Sequence, residues 1–172
     1  GEGVLYTRTI LSGQPSAGND VNTNNNLNLT VKYTAVNGTP INVAIMEQGV
    51  DFIAEVTVSN PSTETALNEL ALTQIFPSGW EIYNSRMDEG FSVSGSSPVE
   101  YQDIRDDRVY TYFNLGRRYK NSSNHKKTFK ILLNSAYLGK FYMPSILAED
   151  MYDNEVNAIE KGRWVEVVKP GE

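Results

Sequence analysis

The densest chemistry in the chain is Asp103, Arg105, Asp106, Asp107 and Arg108, three acids and two bases within six residues. Carboxylates that close together could hold calcium, which takes roughly six to eight oxygen ligands. The spacing is not that of an EF-hand loop, and the interleaved guanidiniums compete for the same oxygens. A strand-initiating turn held by charge-assisted hydrogen bonds is therefore the expectation, with no metal. His125 is the only histidine. It stands between Asn124 and Lys126-Lys127, with no nucleophile in register for a triad. A carboxylate pair for glycoside hydrolysis can come from distant strands, and no local signal marks one. No catalytic residue and no cofactor is expected, so the chain reads as a non-enzyme.

Aromatic residues are the other chemistry on offer. Ten tyrosines and two tryptophans exceed what one small core needs. Tyr110 and Tyr112, two apart on a strand, could stack on sugar rings, pack inside a sandwich or form a protein-docking face. The sequons at Asn28, Asn37 and Asn121 carry little weight in so Asn-rich a chain.

These residues need strands to position them. From Val109 to Leu115 the sequence alternates, with Val109, Thr111, Phe113 and Leu115 on one face and Tyr110, Tyr112 and Asn114 on the other, the period of a half-buried strand. The same period marks Leu27–Ala35 and Asp51–Ser59, the latter with Phe52, Ala54, Val56 and Val58 on one side. Strands are also expected at Leu5–Leu11, Leu70–Phe76, Thr128–Ser135, Tyr137–Met143, Ile146–Asn154 and Trp164–Lys169, with a short extended piece at Ile41–Ile45. Trp80, Ile82 and Tyr83 should return the chain to the core after the Pro77-Ser78-Gly79 turn. Turn and loop residues fill Gln14–Asn26, Asn37-Gly38, Gly90–Pro98 and the polar tip Arg117–Lys127. Asp153–Lys161 is compatible with one helical turn. About nine strands at this spacing predict an all-β antiparallel sandwich.

Length and composition bound the rest. With 172 residues, the chain reads as a single domain over residues 1–172. A formal charge of −6 argues against nucleic acid and against an anionic membrane surface as partners. The absence of cysteine excludes disulfides, thiolate metal sites and a cysteine nucleophile. No apolar run approaches the roughly 20 residues of a membrane span. Gly1-Glu2-Gly3 reads as a cut point, so the chain is expected to be a C-terminal piece of a longer protein whose targeting signal lies elsewhere.

Five separated motifs, in order, resemble the last domain of bacterial α2-macroglobulins: Leu70–Ile82 (LALTQIFPSGWEI), Tyr101–Leu115 (YQDIRDDRVYTYFNL), Thr128–Pro144 (TFKILLNSAYLGKFYMP), Met151–Asn154 (MYDN) and Gly162–Val167 (GRWVEV). The Leu27–Asn60 region fits the first half of that domain. The resemblance implies a macroglobulin/immunoglobulin-like sandwich in which Trp80, Asp103, Arg105, Asp106 and Trp164 belong to structural motifs. It implies a parent that is exported to the periplasm or cell surface, anchored through a distant N-terminal lipid, and acts as a protease trap. There a buried thioester acylates the attacking protease. The terminal domain docks on the thioester domain and neighbouring macroglobulin domains, and a Met-Tyr pair keeps water from the thioester. Met151 and Tyr152 match that pair. Ala148-Glu149-Asp150 stand where the family often has Cys-Glu-Ala, a departure next to the cap. The rival reading is a carbohydrate-binding β-sandwich module of an exported enzyme, which needs an exposed, coplanar aromatic row or a calcium site.

Overall fold

The computed structural model describes residues 3–13, 16, 20–83, 94–120 and 122–171. Among them are thirteen strands and no helix: β1 Thr23–Asn25, β2 Asn28–Ala35, β3 Ile45–Glu47, β4 Asp51–Ser59, β5 Leu67–Ile75, β6 Trp80–Ile82, β7 Tyr101–Ile104, β8 Arg108–Leu115, β9 Lys126–Ser135, β10 Gly139–Met143, β11 Ile146–Asp150, β12 Asn157–Glu160 and β13 Arg163–Val168. They form a six-stranded sheet in the order β1-β12-β11-β5-β8-β7, a four-stranded sheet β2-β4-β9-β6 and a three-stranded sheet β10-β13-β3.

The expected alternation explains how these sheets stack. β4 buries every second side chain, Phe52, Ala54, Val56 and Val58. Val56 and Val58, with Leu29 and Phe129 of the same sheet, pack on Leu70, Leu72, Phe113, Leu115 and Ala148 of the six-stranded sheet. Phe52 and Ala54, with Tyr33, Ile131 and Leu133, pack instead on Val165, Val167, Met143 and Met46 of the three-stranded sheet, and on Val109. The four-stranded sheet is thus one layer, and the other two sheets share the layer facing it. Burying one such Val or Phe contributes about 1.5–3 kcal/mol. Trp80 is buried against Phe52, with ring centroids 4.9 Å apart and nearly perpendicular, and against Tyr33 at 6.1 Å.

The fold is the all-β sandwich that the alternation predicted, antiparallel except for the pair β13·β3, which runs parallel. Several elements differ from expectation. Leu5–Leu11 forms no strand, and Leu5, Ile10 and Leu11 are exposed. Strand-forming residue types are insufficient, because a strand needs a hydrogen-bonded neighbour. Tyr101–Leu115 is a hairpin, β7 and β8, with Arg105 N–H donating to the Arg108 carbonyl at 2.9 Å. Part of Asp153–Lys161 becomes β12, because Val156 and Ala158 are drawn into the core. β10 starts only at Gly139, leaving Tyr137 exposed. The expected loop Gln14–Asn26 contains β1, while Gln14, Pro15 and 17–19 lie outside the described residues, as do 90–93 of Gly90–Pro98 and Asn121 of its sequon.

Two buried polar side chains yield tests. Gln74 is fully buried on β5 and neither its Oε1 nor its Nε2 has a partner among the described residues. An unmet buried amide costs about 1–3 kcal/mol, so Gln74→Leu should raise the urea midpoint at unchanged slope. Burial pushes the Tyr33 hydroxyl up to about 12. A raised folded pKa means that its contribution is intact below pH 10 and is lost as pH rises toward 12. Tyr33→Phe should therefore remove an alkaline loss of about 3 kcal/mol, read as unfolding free energy between pH 9 and 12, with little change at pH 7.

Candidate functional site

Met151 and Tyr152 sit at the tip of the β11–β12 turn, 44% and 85% exposed. The flanking strands put them there. β11 is clamped between β5 and β12, with Ala148 opposite Leu72 on one side and Ala158 on the other. Both alanines are fully buried, and their small side chains lie against the core while the chain runs outward to Asp150. Beyond it the pairing stops and side chains take over the backbone bonding.

Asp150 does most of this. Its Oδ1 accepts the N–H of Tyr152 at 2.9 Å and of Asp153 at 3.1 Å. Its own N–H donates to the Val156 carbonyl at 2.9 Å, and Val156 N–H donates to Asp153 O at 3.1 Å. Asp153 Oδ1 accepts Glu155 N–H at 2.9 Å. Such Asx turns fix a backbone without a ladder. The turn is therefore held internally, and Tyr152 projects from it into solvent. Met151 N–H also donates to Glu69 O at 3.1 Å, tying the tip to β5. Glu69 is in the left-handed region at φ 55, a conformation that costs a non-glycine residue on the order of 1–2 kcal/mol. Sequence reasoning missed Asp150 and Glu69. The Asp-x-Tyr-Asp spacing carried an Asx-turn signal, whereas nothing local announced the bend at Glu69.

The charge cluster lies at the opposite end of β5, since Arg108 pairs with Ile75 whereas Met151 joins Glu69. Arg105 Nε bonds Asp103 Oδ2 at 2.9 Å. Arg108 grips Asp107 with two bonds, at 2.8 and 2.6 Å. The bond from Arg108 holds the Asp107 carboxyl below its usual range, and its partner's guanidinium is raised in turn. Asp107 O accepts Phe76 N–H at 2.9 Å, which seats the hairpin on the end of β5. Asp106 is exposed beside them. This matches a turn held by ion pairs, and among the described residues no group of three or more His, Cys, Asp or Glu converges as for a metal.

The other candidates are scattered. Trp164 is 51% exposed on the outer face of β13, edge-on to Tyr142 at 5.5 Å with Lys140 Nζ 5.7 Å over its ring. His125 is half-buried at the start of β9, where its carbonyl accepts Asn60 N–H at 2.9 Å. Tyr112 is covered by Tyr101, with centroids 5.9 Å apart and planes tilted by 33°. The hydroxyl of Tyr110 accepts a bond from Arg108 at 3.3 Å. Both tyrosines are only partly accessible, which is not the open, coplanar row that a sugar platform needs.

Residues 27–155 match the family described as the bacterial alpha-2-macroglobulin MG10 domain. The chain is 27% identical, over 169 residues, to the alpha-2-macroglobulin homolog of Yersinia pestis, covering 86% of this chain and 8% of that protein. It thus spans less than a tenth of that relative. Among solved structures it is similar to native Escherichia coli alpha-2-macroglobulin spanning domain MG7 to the C-terminus, with TM-score 0.73 and 17% identity over 92% of this chain and 25% of that one. Salmonella alpha-2-macroglobulin reacted with methylamine gives TM-score 0.72 and 18% identity, over 90% of this chain and 10% of that one. At such identities the structures speak for the fold.

Asp150→Ala removes the acceptor for two turn N–H groups and should lower stability by about 1 kcal/mol. Asp150→Asn keeps an acceptor oxygen and should restore most of it, with urea unfolding midpoints as the measurement.

Proposed function

The chain belongs to the bacterial alpha-2-macroglobulin MG10 family, and on that premise we propose that it is the C-terminal domain of a protease-trapping parent, where it shields a thioester on a neighbouring domain. The observation that carries this reading is Tyr152, an aromatic side chain left 85% exposed on a turn fixed by five internal hydrogen bonds. A large ring held out in water on a rigid support gains nothing for its own fold. It gains when a partner covers it.

The chemistry suits a thioester partner. A thioester survives only where water and amines are kept from its carbonyl. A flexible thioether beside a flat amphipathic ring fills an irregular apolar socket well. Met151, half as exposed as Tyr152, would lie at the root of that plug and the tyrosine ring at its end. The domain contributes exclusion of solvent, and the acylating chemistry belongs to the partner. Target proteases are met through the parent. Its address in this reading is the periplasm or cell surface, held by a lipid anchor far from this domain. The 172 residues act as one macroglobulin-like unit. In this reading Trp80 braces the core, and the Asp103–Arg105 pair, with Asp106 beside it, braces the far end of the sheet.

The test is made in the parent protein. Tyr152→Ala should raise the rate of thioester loss to methylamine by tenfold or more, at roughly 1.4 kcal/mol per decade, while Trp164→Ala should not. An unchanged rate in the tyrosine variant would remove the shielding role.

A further inference from the structure

The ladder beside the tip is interrupted once. Leu67 lies opposite Leu115 and Leu70 opposite Phe113, so Asn68 and Glu69 together face Asn114. This is a bulge, with an extra residue on β5. It turns the Glu69 peptide out of the regular pattern, and a side chain rather than a neighbouring strand receives its N–H. Asn114 Oδ1 accepts that N–H at 2.8 Å, while the Glu69 carbonyl accepts Met151 N–H at 3.1 Å on the other side. Asn114 is held in its turn, its Nδ2 donating to Glu100 Oε1. Glu100 N–H donates to Tyr112 O at 3.0 Å, on the strand that carries Asn114.

A chain of bonds therefore runs from Glu100 through Asn114 and the Glu69 peptide to Met151. We propose that Asn114, oriented by Glu100, is a positioning residue that fixes the left-handed Glu69 peptide and through it the height and angle at which the turn presents Met151 and Tyr152. The residue types fit the task. The position needs an acceptor for a backbone N–H and a donor toward a carboxylate, and a carboxamide supplies both from one planar group. An aspartate would accept from Glu69 but repel Glu100, and a leucine would do neither. Positive φ at a non-glycine residue persists where the surroundings over-determine it. Here they do so at both backbone groups of the residue, its N–H and its carbonyl. The consequence for shielding rests on the lid reading above; the positioning itself does not.

The test reads the turn directly, by amide hydrogen exchange of the 172-residue chain. Asn114→Leu and Asn114→Asp should each speed exchange at Met151 and Glu69 roughly five- to tenfold, as for the loss of one hydrogen bond. Val56 and Ile131, in the central strands, should not change. Glu100→Gln added to Asn114→Asp rebuilds the pair with reversed polarity and should return Met151 exchange to within about twofold of the starting value. A purely structural role would move Val56 along with Met151 and would gain nothing from the reversal. Unchanged Met151 exchange, exchange rising in step with Val56, or no recovery in the double variant overturns the proposal. Failure of the lid reading is seen elsewhere, in the methylamine rate of the Tyr152→Ala parent, and leaves these exchange results standing.

Discussion

One strand has to satisfy two facing sheets at once, and the rest of the architecture follows from that. β4 alternates without a break, and its four inward side chains divide between two core clusters, Val56 and Val58 in one, Phe52 and Ala54 in the other. A slip of one residue would turn all four into water and bring Ile53, Glu55 and Thr57 inside. The register is accordingly unbroken with β9 along the whole of β4 and with β2 from Phe52 to Ser59. Around this seam the six-stranded and three-stranded sheets can lie side by side without pairing to each other. The six-stranded sheet is then free to carry a protruding turn between β11 and β12, because its core does not use the side chains of Met151 and Tyr152.

That division between a rigid base and a projecting tip is what the proposed shielding role requires. The apolar interior is complete without Met151 or Tyr152, so their exposure takes nothing from the domain. Yet the turn is not loose. Its hydrogen bonds come from Asp150, Asp153 and the peptide of Glu69, and none of them uses the two side chains that face outward. A contact residue held this way loses little conformational entropy when covered, which is the physical advantage of a preorganised surface. The outer tryptophan has no such arrangement. Trp164 meets Tyr142 edge-on and lies beneath Lys140, an exposed ring on a regular strand rather than on a turn.

Most of the layers could be read from the sequence, since period-two burial is a local property. Phe52, Val56, Phe113, Phe129 and Val165 are inside for the reason their spacing announces. What escaped was decided by distant partners. Leu5–Leu11 has strand-forming residue types, but residue type does not say whether a neighbour exists. Residues 157–160 offered too little pattern to outvote a helix reading until β11 and β1 on either side made them a strand. Pro98 and the serines before it read only as loop, yet Ser97 bonds both ways with Thr128. At the site, Met151 and Tyr152 were found through resemblance, and composition alone would not have chosen them. The supporting groups are invisible for a plainer reason. Asn114 is forty-five residues from Glu69, and an asparagine on the outer face of a strand gives no hint of which peptide it will hold.

The parallel pair β13·β3 has a bearing on how such a domain is made. Val167 lies beside Met46, and Asn157 lies opposite Asn25, so residues near the two ends of the sequence are built into the same walls. Each of the two apolar interiors draws on this late stretch, Ala158 for one and Val167 for the other. A nascent chain leaving the ribosome therefore cannot finish the first interior until translation has passed Ala158, or the second until it has passed Val167. Until then it carries unpaired strand edges that must be kept from sticking to other chains. Assembly of this kind waits on closures across more than a hundred residues and is slow by its topology.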